Sequence, residues 1–154
     1  MNKAKSLANR TREVFLNGER VAFTNYKKLL SDVSFEQATS KVGDLNTIAA
    51  LTFHVNYYVE GLVNVFKGGP LDIRDKYSFD MPPINSEEDW IQLRSALLKY
   101  GAEFADLVDQ FSDEKLESPF IDEKYGNYSQ NIEIIIEHSY YHLGQVSLIK
   151  KMTS

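Results

Sequence analysis

Apolar residues recur every three or four positions through most of this chain, and the stretches that interrupt the rhythm divide it into four long helical segments. In the first, Leu7, Val14, Phe15, Val21, Ala22, Tyr26, Leu29, Leu30 and Val33 keep helical spacing from Lys3 to Val33, with a break or kink at Asn17-Gly18. This reads as one interrupted helix. Ser34 followed by Gln37 resembles a capping box for a short turn, and Val42-Gly43-Asp44 ends that turn and offers Asp44 as the next N-cap. The second long segment carries Ile48, Leu51, Val55, Val59, Leu62, Val63 and Phe66 at the 3.6-residue period. Lys67-Gly68-Gly69-Pro70 stops it after about 22 residues.

Residues 68–85 have no helical period and hold two glycines and three of the four prolines, a longer connection than compact domains commonly contain. The length has a geometric explanation. If the second and third helices run parallel, the chain must return along a helix roughly 30 Å long, which about eighteen extended residues can cover. The third helix opens at Ser86-Glu87-Glu88-Asp89, with acids at the positive helix end, and continues through Trp90, Leu93, Leu97, Gly101, Phe104, Leu107, Val108 and Phe111. A polar turn at Ser112-Asp113-Glu114-Lys115 and a loop around Lys124-Tyr125-Gly126-Asn127 lead to a fourth helix from about Ser129 to Lys151. The expected fold is all-α: a four-helix bundle with a long crossover between helices two and three, formed as a single domain over residues 1–154.

Composition narrows the function classes. A chain of 154 residues with 43% apolar and 25% charged residues can bury a core without disulfides or metal staples. No apolar run reaches the roughly 18 to 20 residues a bilayer requires, and the polar start at Met1-Asn2-Lys3-Ala4-Lys5-Ser6 lacks the apolar core of a signal peptide. No membrane association and a cytoplasmic location are expected. The absence of cysteine fits a reducing compartment and removes protein thiolates as nucleophiles or ligands, so any thiol chemistry needs a thiol brought from outside. A net charge of −5, with no basic cluster beyond Lys27-Lys28 and Lys150-Lys151, argues against a nucleic-acid partner.

The candidate chemistry lies in the three histidines. In Glu137-His138-Ser139-Tyr140-Tyr141-His142 two of them stand four residues apart, which stacks both imidazoles on one face of the fourth helix. Asn131, Ile135, His138, His142, Gln145 and Ile149 form one inward stripe. His54 lies in the second helix, one turn from Leu51 and from Tyr58, near the edge of its buried face. An inward histidine is either a hydrogen-bonded core residue or a ligand, but here every histidine of the chain is inward and two have ligand spacing. Three imidazoles without a carboxylate set suit zinc first, then nickel or iron, rather than magnesium or calcium. Three protein ligands on a tetrahedral ion leave one position for water or substrate, as catalytic sites do. Such an ion could make hydroxide from bound water, act as a Lewis acid or hold a thiolate. A di-iron carboxylate site is disfavoured, because neither Glu133 nor Glu137 stands three residues before a histidine. Tyr57, Tyr58, Tyr140 and Tyr141 are either pocket donors or bundle core, with Tyr58 and Tyr141 the candidate catalytic helpers. Gln145, one turn beyond His142, either orients a ligand or is an ordinary polar residue at a helix end.

His54 in a long second helix, the Gly/Pro-rich crossover and His138-x-x-x-His142-x-Gly144-Gln145-Val146 together resemble the DinB-like (YfiT-like) superfamily over nearly the whole chain. The resemblance implies a four-helix bundle with this crossover, often homodimeric, and a divalent ion held by three histidines that map onto His54, His138 and His142. Relatives include S-transferases and isomerases that use low-molecular-weight thiols such as bacillithiol or mycothiol, beside metal-dependent hydrolases. The expectation is therefore a metal-dependent thiol S-transferase acting on a small-molecule substrate. The alternatives are a hydrolase using metal-bound hydroxide and a metal-stabilised binding bundle without turnover.

Overall fold

The computed structural model describes residues 2–154 and contains four long helical segments joined by short helices and one long crossover. The first segment, α1 (Lys3–Arg12), runs into a π-helical turn at Glu13–Asn17. The chain then leaves the helical path for residues 18–25, with Ala22 and Phe23 both at positive φ. The single interrupted helix expected through Val33 is thus replaced by a separate short helix, α2 (Tyr26–Leu30), capped by Asn25. A one-turn helix α3 (Phe35–Ala38) follows. Its cap Ser34 accepts from the Gln37 amide, but Gln37 turns its side chain to the Lys150 carbonyl rather than back to the cap, so only half of a capping box forms.

The second long helix, α4 (Ile48–Phe66), begins later than the sequence suggested, because the Thr47 hydroxyl, and not Asp44, accepts the Ala50 amide. Gly68, at φ +94°, turns the chain out of it. The crossover contains one 3₁₀ turn, Asp75–Tyr77. Next come α5 (Glu87–Asp109), capped by Ser86, and the short α6 (Asp113–Glu117), capped by Ser112 where a plain turn was expected. The last helix, α7 (Tyr128–Thr153), starts at a complete capping box in which Asn127 and Gln130 exchange backbone bonds.

Within the bundle α4 lies between α5 and α7, and α1 packs on the same two helices. Phe66 at the end of α4 meets Phe104 near the end of α5, and Lys67 pairs with Glu103, so α4 and α5 run parallel and the crossover is required. Tyr128 at the start of α7 meets Phe66 and Phe111, which sets α7 antiparallel to both. Arg12 bonds Asp106 and Asp109 across the α1/α5 seam.

One line of contacts links this frame to the middle of α7. A β-carbon at Gly101 would stand 2.7 Å from the Phe15 ring, so only glycine lets the π turn seat Phe15 against α5. Phe15 stacks on Tyr26 at 5.5 Å, and the fully buried Tyr26 hydroxyl donates to the Ser139 carbonyl at 2.7 Å. At the other edge Trp90 donates its indole N–H to the Val33 carbonyl. No helix among the described residues is long and apolar enough to cross a membrane.

Gly101→Ala should destabilise the protein by about 1 to 3 kcal/mol in urea unfolding, because the added methyl overpacks Phe15 and outweighs the helix propensity gained. Tyr26→Phe should cost about 0.5 to 1.5 kcal/mol, the net worth of one buried hydrogen bond.

Candidate metal centre

The stripe on α7 and the edge of α4 meet where the sequence placed the three histidines. His54 and His142 are buried and His138 is partly buried. Their rings converge through Nε2: His138 Nε2 lies 3.1 Å from that of His54 and 3.1 Å from that of His142. All three ligand atoms fall within 4.8 Å of one another, and the group could hold a metal ion. Nitrogens bound about 2.05 Å from a tetrahedral zinc stand roughly 3.3 Å apart, so the spacing suits such an ion.

The outer faces of the rings set their tautomers. His54 Nδ1 lies 3.2 Å from the Ser78 carbonyl, which can only accept, so the ring proton is on Nδ1 and Nε2 turns a lone pair inward. With the Gln145 amide oxygen 2.6 Å from His142 Nδ1, the same holds for that ring. His138 Nε2 therefore faces two bare nitrogens. A single N–H there could satisfy only one of them, whereas a divalent cation satisfies all three. The residues fit the ion. His138 Nδ1 is buried without a hydrogen-bond partner.

Packing holds the rings in place. Phe79, from the crossover, stacks on His54 with centroids 3.9 Å apart and planes within 7°. Tyr58 sets its ring edge-on to His54 at 5.2 Å and to His138 at 5.1 Å, and its hydroxyl donates to Asp75 at 2.9 Å. Burial and the neighbouring Asp75 carboxylate both raise the Tyr58 pKa. Burial holds all three imidazoles below the usual histidine range, aided at His54 and His138 by neighbouring histidines, with His138 lowered to about 4. Neutral imidazole is the form that binds metal.

The structure sorts the other candidates. Gln145 and Tyr58 touch the cluster. Tyr141 lies edge-on to His142 at 5.0 Å but is 66% exposed, on the outer rim. Tyr57 is bound to the Arg74 backbone through its hydroxyl, and Tyr140 lines a separate recess with Val21 and Gly144. Sequence reasoning missed Ser78, Phe79 and Asp75, which reach the site from the crossover.

A family model described as the DinB superfamily matches residues 20–146, a span that takes in all three histidines, and the chain belongs to that superfamily. No curated protein and no solved structure matches the chain.

Elemental analysis should find about one transition-metal ion per chain, lost in His138→Ala and His142→Ala, because each removes one of three ligands. Gln145→Ala should weaken metal affinity about 10- to 100-fold while leaving the fold intact. In the metal-free protein the depressed histidine pKa values mean that the unfolded chain takes up protons first. Stability is fully present above the ordinary histidine value of 6.5 and falls as pH drops toward the His138 value of about 4. Urea titrations of chelator-treated protein at pH 7.5, 5.5 and 4 should show that decline, and His138→Gln should flatten it.

Proposed function

We propose that this member of the DinB superfamily is a metal-dependent transferase. In this reading His54, His138 and His142 hold one divalent transition ion, zinc first, and the reaction joins a low-molecular-weight thiol to a small electrophile. The observation that carries the proposal is the convergence of three Nε2 atoms, with the tautomers of His54 and His142 set by Ser78 and Gln145. Bound there, the ion would leave a position open and keep a thiol ionised at neutral pH.

The chain's own residues supply the rest. Ser78 and Gln145 orient two of the three ligands. Phe79 and Tyr58 cover the ring faces and edges and keep water from them. No cysteine of the chain competes for the open position, so the sulfur comes from the cosubstrate. In the reaction the sulfur–carbon bond forms as the leaving group departs with the bonding electron pair, and the thiol proton passes to water. The Tyr58 phenol keeps its proton, its pKa raised, and acts as a donor toward Asp75.

Cobalt substitution tests this directly. Adding millimolar bacillithiol or glutathione to the cobalt-loaded protein should produce a sulfur-to-cobalt charge-transfer band, and His54→Ala should erase it together with metal affinity. An unchanged spectrum, with ester or amide substrates hydrolysed in the absence of thiol, would replace the transferase by a hydrolase. An unchanged spectrum with no turnover of either kind would leave a metal-stabilised binding bundle.

A further inference from the structure

A cavity of about 360 Å³ opens beside the histidines, lined by Tyr58, Leu62, Leu71, Ile73, Asp75, Phe120, Tyr125, Asn131, Ile134 and Ile135. Tyr58 is the wall shared with the metal centre, since its ring meets His54 and His138 edge-on. Ile134 and Ile135 stand one helical turn before His138 on α7, and Leu62 one turn beyond Tyr58 on α4. The crossover closes one side through Leu71, Ile73 and Asp75, and the loop before α7 closes the other through Phe120 and Tyr125. The volume lies in the lower part of the range typical of small-molecule sites.

The lining is selective. Its body is aliphatic and aromatic, and its few polar groups are mostly acceptors. The Tyr58 hydroxyl proton is already engaged by Asp75, and Asn131 gives its amide N–H groups to the Tyr125 and Asn127 carbonyls. Asp75 makes no ion pair among the described residues. No lysine or arginine lines the cavity. A ligand seated there gains by burying apolar surface and by offering a donor to Asp75, and it loses by carrying an anionic group into the same space.

We propose that this cavity is the acceptor subsite of the metal centre and that it selects an apolar small molecule bearing an ammonium or a neutral hydrogen-bond donor, rejecting carboxylates and phosphates. The proposal rests on the metal-centred reading for its reaction, but not for its binding.

Three ligands of one size test it: benzylamine, benzyl alcohol and benzoate, titrated into zinc-loaded protein with isoleucine and leucine methyls followed by NMR. Benzylamine and benzyl alcohol should shift Leu62, Leu71, Ile73, Ile134 and Ile135, with benzoate at least about tenfold weaker. Leu71→Trp should fill the space and abolish the shifts with metal content unchanged. Asp75→Asn should remove the preference of benzylamine over benzyl alcohol. Equal binding of benzoate would overturn the proposal, as would shifts confined to the recess on the opposite side, at Leu45, Leu51 and Leu148. Should Leu71→Trp fail to fold, the methyl shifts and the Asp75→Asn comparison decide. The same titration on chelator-treated protein separates the two readings. Cavity binding that persists while histidine variants show no link to metal content sinks the metal-centred reading alone, whereas one metal per chain with no cavity binding sinks this inference alone.

Discussion

Three imidazole nitrogens that share one point impose the strictest condition on this protein. Each ring must arrive neutral, with its lone pair inward, and two of the three have their outer N–H anchored to an oxygen at 3.2 or 2.6 Å. Inward lone pairs on Nε2 atoms 3.1 Å apart repel, so a frame stiff enough to resist that repulsion must exist before any cation arrives. The frame is the antiparallel seam of α4 and α7, fixed at one end by the Phe66, Phe111 and Tyr128 rings and near its middle by the Tyr26 bond to Ser139. That last bond falls between the two histidines of α7. It joins the site to α2 and, through Phe15, to the π turn and α5.

The crossover is a second consequence of the same condition. Parallel α4 and α5 force a long return, and the return passes over the histidines. It delivers a carbonyl from Ser78 and a stacked ring from Phe79 to His54, and a carboxylate from Asp75 to Tyr58. Further contacts pin it. Tyr57 takes both the Arg74 amide and carbonyl, and Ile73 packs into the notch left by Gly61, where a β-carbon would collide with it.

The sequence was most legible where one period governs many residues. The α4, α5 and α7 stripes, the parallel pair with its crossover and the inward placement of all three histidines follow from 3.6-residue spacing and two stop signals. Legibility failed where a single side chain decides. Thr47 displaced Asp44 as a cap because helix starts are set by whichever hydroxyl or carboxyl reaches the N3 amide, and both residues precede the same stripe. The break at Asn17-Gly18 was legible, but the length of the excursion to residue 25 was not, because it runs through left-handed Ala22 and Phe23, residue types that carry no turn signal. Ser78 was invisible for a deeper reason. Its backbone carbonyl, not its side chain, contacts His54, and any residue in that place supplies one.

The crossover's anchoring at Gly61 and Tyr57 gives the molecule two kinds of part with different tolerances. The helices carry the three histidines and are locked to one another by buried rings, so change there disturbs the cluster itself. The strap from residue 68 to 85 is fastened at a few places and forms one wall of the cavity beside Tyr58. Its cavity-lining residues that touch no histidine, such as Leu71, can be exchanged for others of different bulk or charge while the histidines keep their positions, which makes that stretch of the strap a replaceable jaw on a fixed vice.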